Sequence, residues 1–169
     1  MDKIFRYAGI IKADIANGTG VGVTLFTQGC SHHCAGCHNP ETWNPDGGKA
    51  FTDKSYNSIV SYVRDNKYID HITLSGGEPF ENIELCKAVI DGCKKERPEI
   101  KVWCYTGYTF EEILNNHKMS SFITAIDILV DGMFIECKKD TSLPFRGSSN
   151  QRIIDVKKSL EMGRVICEV

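Results

Sequence analysis

Long apolar runs are missing from this chain of 169 residues. No stretch approaches the ~18 continuous apolar residues of a membrane span, which argues against a membrane-embedded protein. Met1-Asp2-Lys3-Ile4-Phe5-Arg6-Tyr7 lacks the apolar stretch of a secretory leader, so a soluble, cytoplasmic protein is expected. An excess of positive charge is missing as well. Lys plus Arg number 20 and Asp plus Glu 22, giving a formal net charge of −2. That balance argues against nucleic-acid binding through bulk positive charge. Repeats, low-complexity segments and linkers are absent, so one domain over residues 1–169 is expected. The chain is also short of the roughly 250 residues of a complete eight-fold β/α barrel.

Cysteine is what the chain has in excess, with eight residues. A reducing cytoplasm disfavours reading them as a disulfide framework. Their placement is uneven. Cys30, Cys34 and Cys37 fall within one short loop, whereas Cys86, Cys93, Cys104, Cys137 and Cys167 are scattered singly. Cys86 and Cys93 stand seven apart, on one face of a helix. All five scattered cysteines are expected to be small buried hydrophobes.

Strands alternate with helices along the chain. Val21–Thr27 is rich in β-branched and aromatic residues and predicts a strand. Tyr56, Ile59, Val60 and Val63 carry the helical period within Ser55–Asn66. His71–Leu74 predicts a second strand, stopped by Ser75-Gly76-Gly77. Glu81–Glu96 predicts a helix with Cys86, Val89, Ile90 and Cys93 facing inward. Lys101–Tyr105 and Asp127–Val130 predict two further strands, with a capping box at Thr109–Glu112 between them. Arg164–Cys167 is a candidate fifth strand, and Ile153–Val156 reads equally as strand or helix. The alternation implies an α/β fold with a mostly parallel sheet, too few units for a closed barrel, and hence an open or partial one. In such folds ligands sit at the carboxyl ends of the strands. The glycine-rich and polar segments occur there: Gly29–Asn39, Ser75–Pro79, Thr106–Tyr108 and Asp131-Gly132.

Cys30-x3-Cys34-x2-Cys37 puts three thiolates on one loop. Structural zinc takes four ligands, and no second cysteine pair supplies the fourth, although His32, His33 or His38 would serve. A four-iron cluster on three cysteines leaves one iron open, the arrangement of a metal that does chemistry. Both readings stand on spacing alone. Beside them is the plain one of clustered thiols without a metal.

The Cys-x3-Cys-x2-Cys loop directly after a strand resembles the signature of the radical S-adenosylmethionine (SAM) superfamily. Ser75-Gly76-Gly77-Glu78-Pro79 resembles that superfamily's Gly-Gly-Glu-Pro segment. More narrowly, the chain is similar to the activating enzymes of anaerobic (class III) ribonucleoside-triphosphate reductase. The matching stretches are Asp14–Gly20, Gln28–Asn39, Leu74–Pro79, Tyr105–Tyr108, Leu129–Gly132 and Phe145–Gln151. They span nearly the whole length in order. Gly36 stands where the superfamily usually has a bulky residue, and the activase group resembles this chain in that glycine.

The resemblance implies a partial β/α barrel of the radical SAM type. It implies a [4Fe–4S] cluster on Cys30, Cys34 and Cys37, with SAM on the fourth iron. Gly36, Cys37, His38, Gly76, Gly77, Glu78 and Pro79 are then expected at the cofactor. His38 is a candidate cover for the adenine, and Glu78 an acceptor for the methionine ammonium. The implied partner is the reductase, on which a glycyl radical is made, with a flavodoxin-like electron donor; no nucleic acid or membrane is implied. Tyr105, Tyr108, Asp131, Arg146, Ser148, Ser149 and Asn150 are further candidates, each equally readable as loop or core. His33 reads as a surface residue, and Trp43 and Trp103 as packing. A 7-carboxy-7-deazaguanine synthase-like radical SAM enzyme, an iron–sulfur electron carrier and a zinc-stabilised binding module are the rivals.

Overall fold

A computed structural model describes residues 4–168. Met1, Asp2 and Lys3, which enter the argument about a leader, lie outside the described residues. The strands are β1 (Arg6–Asp14), β2 (Gly22–Thr27), β3 (Lys49–Ala50), β4 (His71–Gly76), β5 (Lys101–Tyr105), β6 (Ile128–Asp131) and β7 (Arg152–Asp155). The helices are α1 (Asp53–Asp65), α2 (Ile83–Glu96), α3 (Phe110–Leu114), α4 (His117–Ile123) and α5 (Val156–Met162). Among the described residues the strands form one open sheet in the order β3-β1-β2-β4-β5-β6-β7.

The centre of the sheet, β2-β4-β5-β6, is parallel. Both edges are antiparallel: β1 and β3 on one side, β7 on the other. The expected α/β class therefore holds, and the mixed open sheet is consistent with a partial barrel. The strand expected first is the second, because β1 is invisible to a pattern reading. Its residues are half-covered or exposed up to the buried Asp14 and show no clean alternation. Register shifts at Tyr7/Gly9 and Lys12/Asp14 break its period further. At the second, Ala13 sits at φ +54°, and the bulge turns Asp14 inward. There its carboxylate accepts from the Ala16 amide, Asn17 Nδ2 and Thr24 Oγ1. The bulge thus pins the Ala16-Asn17 loop beside the strand ends.

Ile153–Val156 turns out to be both alternatives in succession. β7 ends at Asp155, whose side chain caps α5 by accepting from the Lys158 amide. Arg164–Cys167 is not a strand. It makes one isolated bridge, Ile154 to Cys167, after the left-handed turn at Gly163 (φ +63°). β7 is only four residues long, so its outer edge supports no longer ladder.

Alternation along the strands divides the core in two. Val102, Cys104, Leu129 and Ile154 face α1, α2 and the α3–α4 pair. Trp103, Val130 and Ile153 face the opposite side with Tyr105, Ile128 and Phe145. Cys86, Cys93 and Cys104 are buried in the first core, as expected. Cys137 and Cys167 are exposed, contrary to expectation. Cys137 lies on a surface turn, Glu136–Lys138, and Cys167 on the uncovered edge of β7. Trp103 packs against His71 and Phe145, and the exposed His33 stacks on Trp43. No helix among the described residues is long and apolar enough to cross a membrane.

His71, at the start of β4, is fully buried. Burial pushes its pKa below the usual 6.5, with the charges of Asp70 and Asp14 and the Thr19 backbone pulling the other way. A histidine depressed in the folded state contributes stability that is present above the unfolded pKa and lost as pH falls through the folded one. Stability against urea is therefore expected to decline from pH 7.5 to 5.5, and His71→Gln to flatten that decline. His32 is shifted upward and acts in the opposite sense, so the slope is read as wild type minus variant. Parallel slopes in the two proteins would show that His71 does not carry the effect.

Candidate functional site

The carboxyl ends of β2, β4, β5 and β6 converge on one cavity of about 390 Å³. Cys30, Cys34 and Cys37 line it, together with Gly76, Gly77 and Glu78 from the end of β4. Thr106 and Gly107 follow β5, and Gly132 follows β6. The two motifs singled out in the sequence thus meet in space, although about forty residues separate them.

The cysteine loop is built on tight turns. Gly29 (φ +94°) leads out of β2, its amide donating to the Thr42 carbonyl at 2.8 Å. The Cys30 amide donates to Trp43 O at 3.2 Å. Gln28 secures the same turn by donating through Nε2 to Glu41 O and Asn44 O. Within the loop the Cys37 amide bonds Cys34 O at 3.1 Å, and the Asn39 amide points at Cys37 Sγ at 3.4 Å. All three thiols are half-buried. Burial pushes Cys30 up to about 11 and raises Cys34 too. That burial favours the protonated form of Cys30 and Cys34; a bound metal would displace the protons.

Glu78 is the knot that ties the cavity wall. It is 0% exposed. Its Oε1 accepts from the Phe80 amide at 2.9 Å and Thr106 Oγ1 at 2.8 Å. Its Oε2 accepts from the Gly107 amide at 2.9 Å and pairs with His32 Nε2 at 2.8 Å. The hydrogen bond to Glu78 raises the pKa of His32 against the effect of burial. Four protein partners meet at this carboxylate and hold it in the cavity wall. The backbone completes the tie, with Glu78 N donating to Gly29 O at 2.8 Å and Gly77 N to Thr27 O at 2.9 Å. Glu81 holds the loop from the other flank through Ser31 N and Oγ. The glycines are required by this closeness. Gly76 has φ +87°, and a Cβ there would lie 2.7 Å from Phe26 Cα; one at Gly77 would collide with the Gly29 carbonyl.

The other expected residues divide. Cys37, His38 and Tyr105 line the cavity, and His38 is exposed beside Phe134. Gly36 and Pro79 do not line it. Pro79 is buried and opens a 3₁₀ turn. Gly36 has φ +71°, and a Cβ there would meet Glu136 Cδ at 2.9 Å, a local reason for glycine before the third cysteine. Tyr108 meets His32 edge to face, with ring centroids 4.6 Å apart. Asp131 is turned away from the cavity into a clamp: it accepts from the Phe110 amide and from Arg152, which also reaches Glu111. Asn150 donates to Met133 O. Phe134 and Leu143 line the cavity and went unremarked in the sequence. The strand-end rule reaches only to Gly132, and nothing beyond it marks these apolar residues as different from core.

Among the described residues no three His, Cys, Asp or Glu side chains converge as a single metal ion needs. A cubane makes a different demand, since each thiolate takes a separate iron. Sequence comparison agrees with the multinuclear group. Residues 16–154 match the family model described as a 4Fe-4S single cluster domain. An anaerobic ribonucleoside-triphosphate reductase-activating protein of Escherichia coli (strain K12) is 38% identical over 149 residues, covering 86% of this chain and 96% of the relative. The protein so named in Salmonella typhi is 37% identical with the same coverage. That of Enterobacteria phage T4 is 36% identical over 88% of this chain and 92% of its own. The chain belongs to the family of anaerobic ribonucleoside-triphosphate reductase-activating proteins.

Proposed function

We propose that this chain is a radical SAM activase, a single radical SAM domain acting in the cytoplasm on an anaerobic ribonucleoside-triphosphate reductase. The observation that carries the reading is the shared cavity: the three cysteines and the Gly76-Gly77 backbone face one space and are locked to each other through Glu78. Cys30, Cys34 and Cys37 would hold a [4Fe–4S] cluster, which when reduced would supply the electron for splitting SAM and so the radical chemistry that takes a hydrogen atom from a glycine Cα of the reductase. A flavodoxin-like protein fits as donor of the electron.

The chain's own residues hold and shield these groups. Cys30, Cys34 and Cys37 would ligate three irons, and the Asn39 amide directed at Cys37 Sγ suits a sulfur carrying negative charge. Gly76 and Gly77, lacking Cβ atoms, let the cavity-lining end of β4 close against Phe26 and the Gly29 carbonyl next to the cysteine loop. Glu78 and His32 keep the cysteine loop and the β4 and β5 ends in register. The half-buried Phe134 and Phe145 add apolar surface to the cavity lining.

Anaerobic reconstitution, reduction and addition of SAM should yield methionine and 5′-deoxyadenosine. Adding the reductase should then give the electron-spin-resonance doublet of a glycyl radical. No SAM cleavage by fully iron-loaded protein would sink the reading. A doublet only on a different glycyl-radical enzyme would reassign the partner.

A further inference from the structure

The loop after β6 runs back against the cysteine loop. Gly132, at φ +93°, turns the chain there. The Phe134 ring then lies beside His38, with centroids 5.7 Å apart, and the Glu136 side chain fills the space that a Cβ on Gly36 would need. Between these contacts the Phe134 backbone amide reaches the Cys34 thiol. Cys30 and Cys37 draw amides from their own loop, from His32, His33 and Asn39. Cys34 draws one from far along the chain, beyond β6.

That amide is aimed from behind. The Phe134 N–H shares a peptide unit with the Met133 carbonyl, and in a trans peptide the two point in opposite directions. Fixing one therefore fixes the other. Asn150 Nδ2 donates to Met133 O at 2.9 Å. Neighbouring bonds keep the loop from sliding. Gln151 Nε2 holds Gly132 O at 2.9 Å on one side, and the buried Ser148 Oγ accepts from the Ile135 amide at 3.2 Å on the other. A hydrogen bond on the carbonyl also polarises the peptide and strengthens its N–H as a donor, by roughly 10–30%. Asn150 Oδ1 is buried with no partner, a cost to stability that the donated bond has to offset. Asn150 does not line the cavity, so it acts through this peptide and not by touching a ligand.

We infer that Asn150 is a positioning residue for the iron–sulfur group: by holding the Met133 carbonyl it aims the Phe134 N–H at the Cys34 sulfur and raises the potential at which that group accepts an electron from its external donor. The inference rests on the iron–sulfur part of the reading above and not on SAM. One-electron reduction adds a negative charge that spreads onto the thiolate sulfurs. An N–H directed at such a sulfur favours the more negative state, so losing or misaiming it lowers the potential.

The test is the midpoint potential of the reconstituted protein without SAM, read from the electron-spin-resonance signal of the reduced cluster at a series of poised potentials. Wild type is compared with Asn150→Leu, which keeps the bulk but cannot donate, and with Asn150→Ala. Ser149→Ala, at an exposed neighbour, is the control. At the wild-type midpoint the ratio of reduced to oxidised cluster should fall about tenfold in both Asn150 variants, or about 59 mV for one electron, with iron content retained. Ser149→Ala should match the wild type. An unchanged potential in an iron-loaded Asn150 variant would overturn the proposal. Loss of iron from both Asn150 variants, or an equal shift in Ser149→Ala, would make the effect one of loop folding and overturn it too. A wild-type cluster that does not split SAM would sink the activase reading alone, and the potentials would still decide the role of Asn150. A wild type that takes up no iron would sink the iron–sulfur reading and this proposal with it.

Discussion

Replacing Cys34 with serine is expected to empty the site of iron and to lower SAM cleavage by more than about a hundredfold, beyond the 10–100-fold of an outer-shell loss. A serine hydroxyl is a harder donor and far less acidic than a thiol, so it replaces a thiolate poorly on iron. Cys86→Ser is the comparison that gives this result meaning. Cys86 is fully buried on α2, its Sγ directed at the Pro79 carbonyl at 3.7 Å. Burial pushes its thiol pKa far up, and no cation is near to reverse that. A serine there keeps the hydrogen bond and is expected to cost about 1 kcal/mol of stability, with iron content and cleavage retained. Iron analysis and product assay on both variants, each checked for fold by circular dichroism, decide the matter. Equal loss in the two, with both folded, would refute the division between ligand and core cysteines.

Glu78 is expected to give the second largest effect. Alanine there leaves the Phe80 and Gly107 amides, Thr106 Oγ1 and His32 Nε2 without their acceptor in a buried space. The expected cost is about 3–5 kcal/mol, the range for removing one member of a buried charged pair. Glu78→Gln keeps the shape but turns an NH₂ toward donors, and should lose about 1–3 kcal/mol. Both variants should also shed iron faster, because the Glu78 carboxylate ties His32 of the cysteine loop to the cavity wall. Urea denaturation under anaerobic conditions and iron release to a chelator measure the two effects. A Glu78→Gln protein of unchanged stability with weakened SAM binding would instead make Glu78 a ligand contact.

The two predictions divide along what can be read from residues in order. The spacing of Cys30, Cys34 and Cys37, the Gly-Gly-Glu-Pro segment and the four parallel strands are local patterns, and each is where the sequence put it. The helical faces of α1 and α2 were legible for the same reason, since a period of 3.6 residues is a property of the chain itself. β1 was not legible. Its bulges at Ala8 and Ala13 break the period of two, and its place is set by pairing with β2. Cys137 and Cys167 were misread because exposure is set by tertiary surroundings: Cys137 lies on a surface turn and Cys167 at the uncovered edge of β7.

The sequence by itself determined the α/β alternation, the three thiols on one loop and the glycines at the end of β4. Those follow from short-range spacing and backbone freedom. Only the tertiary structure decided what Glu78, Asp131 and Arg146 do. A carboxylate or guanidinium in a sequence is an unassigned charge, and its role is set by the groups that reach it from elsewhere in the chain. Glu78 meets partners from three loops and becomes a tie. Asp131 meets Arg152 and becomes a clamp. Arg146 lines the cavity with its Nη1 on the Gln151 carbonyl and its Nε buried without a partner.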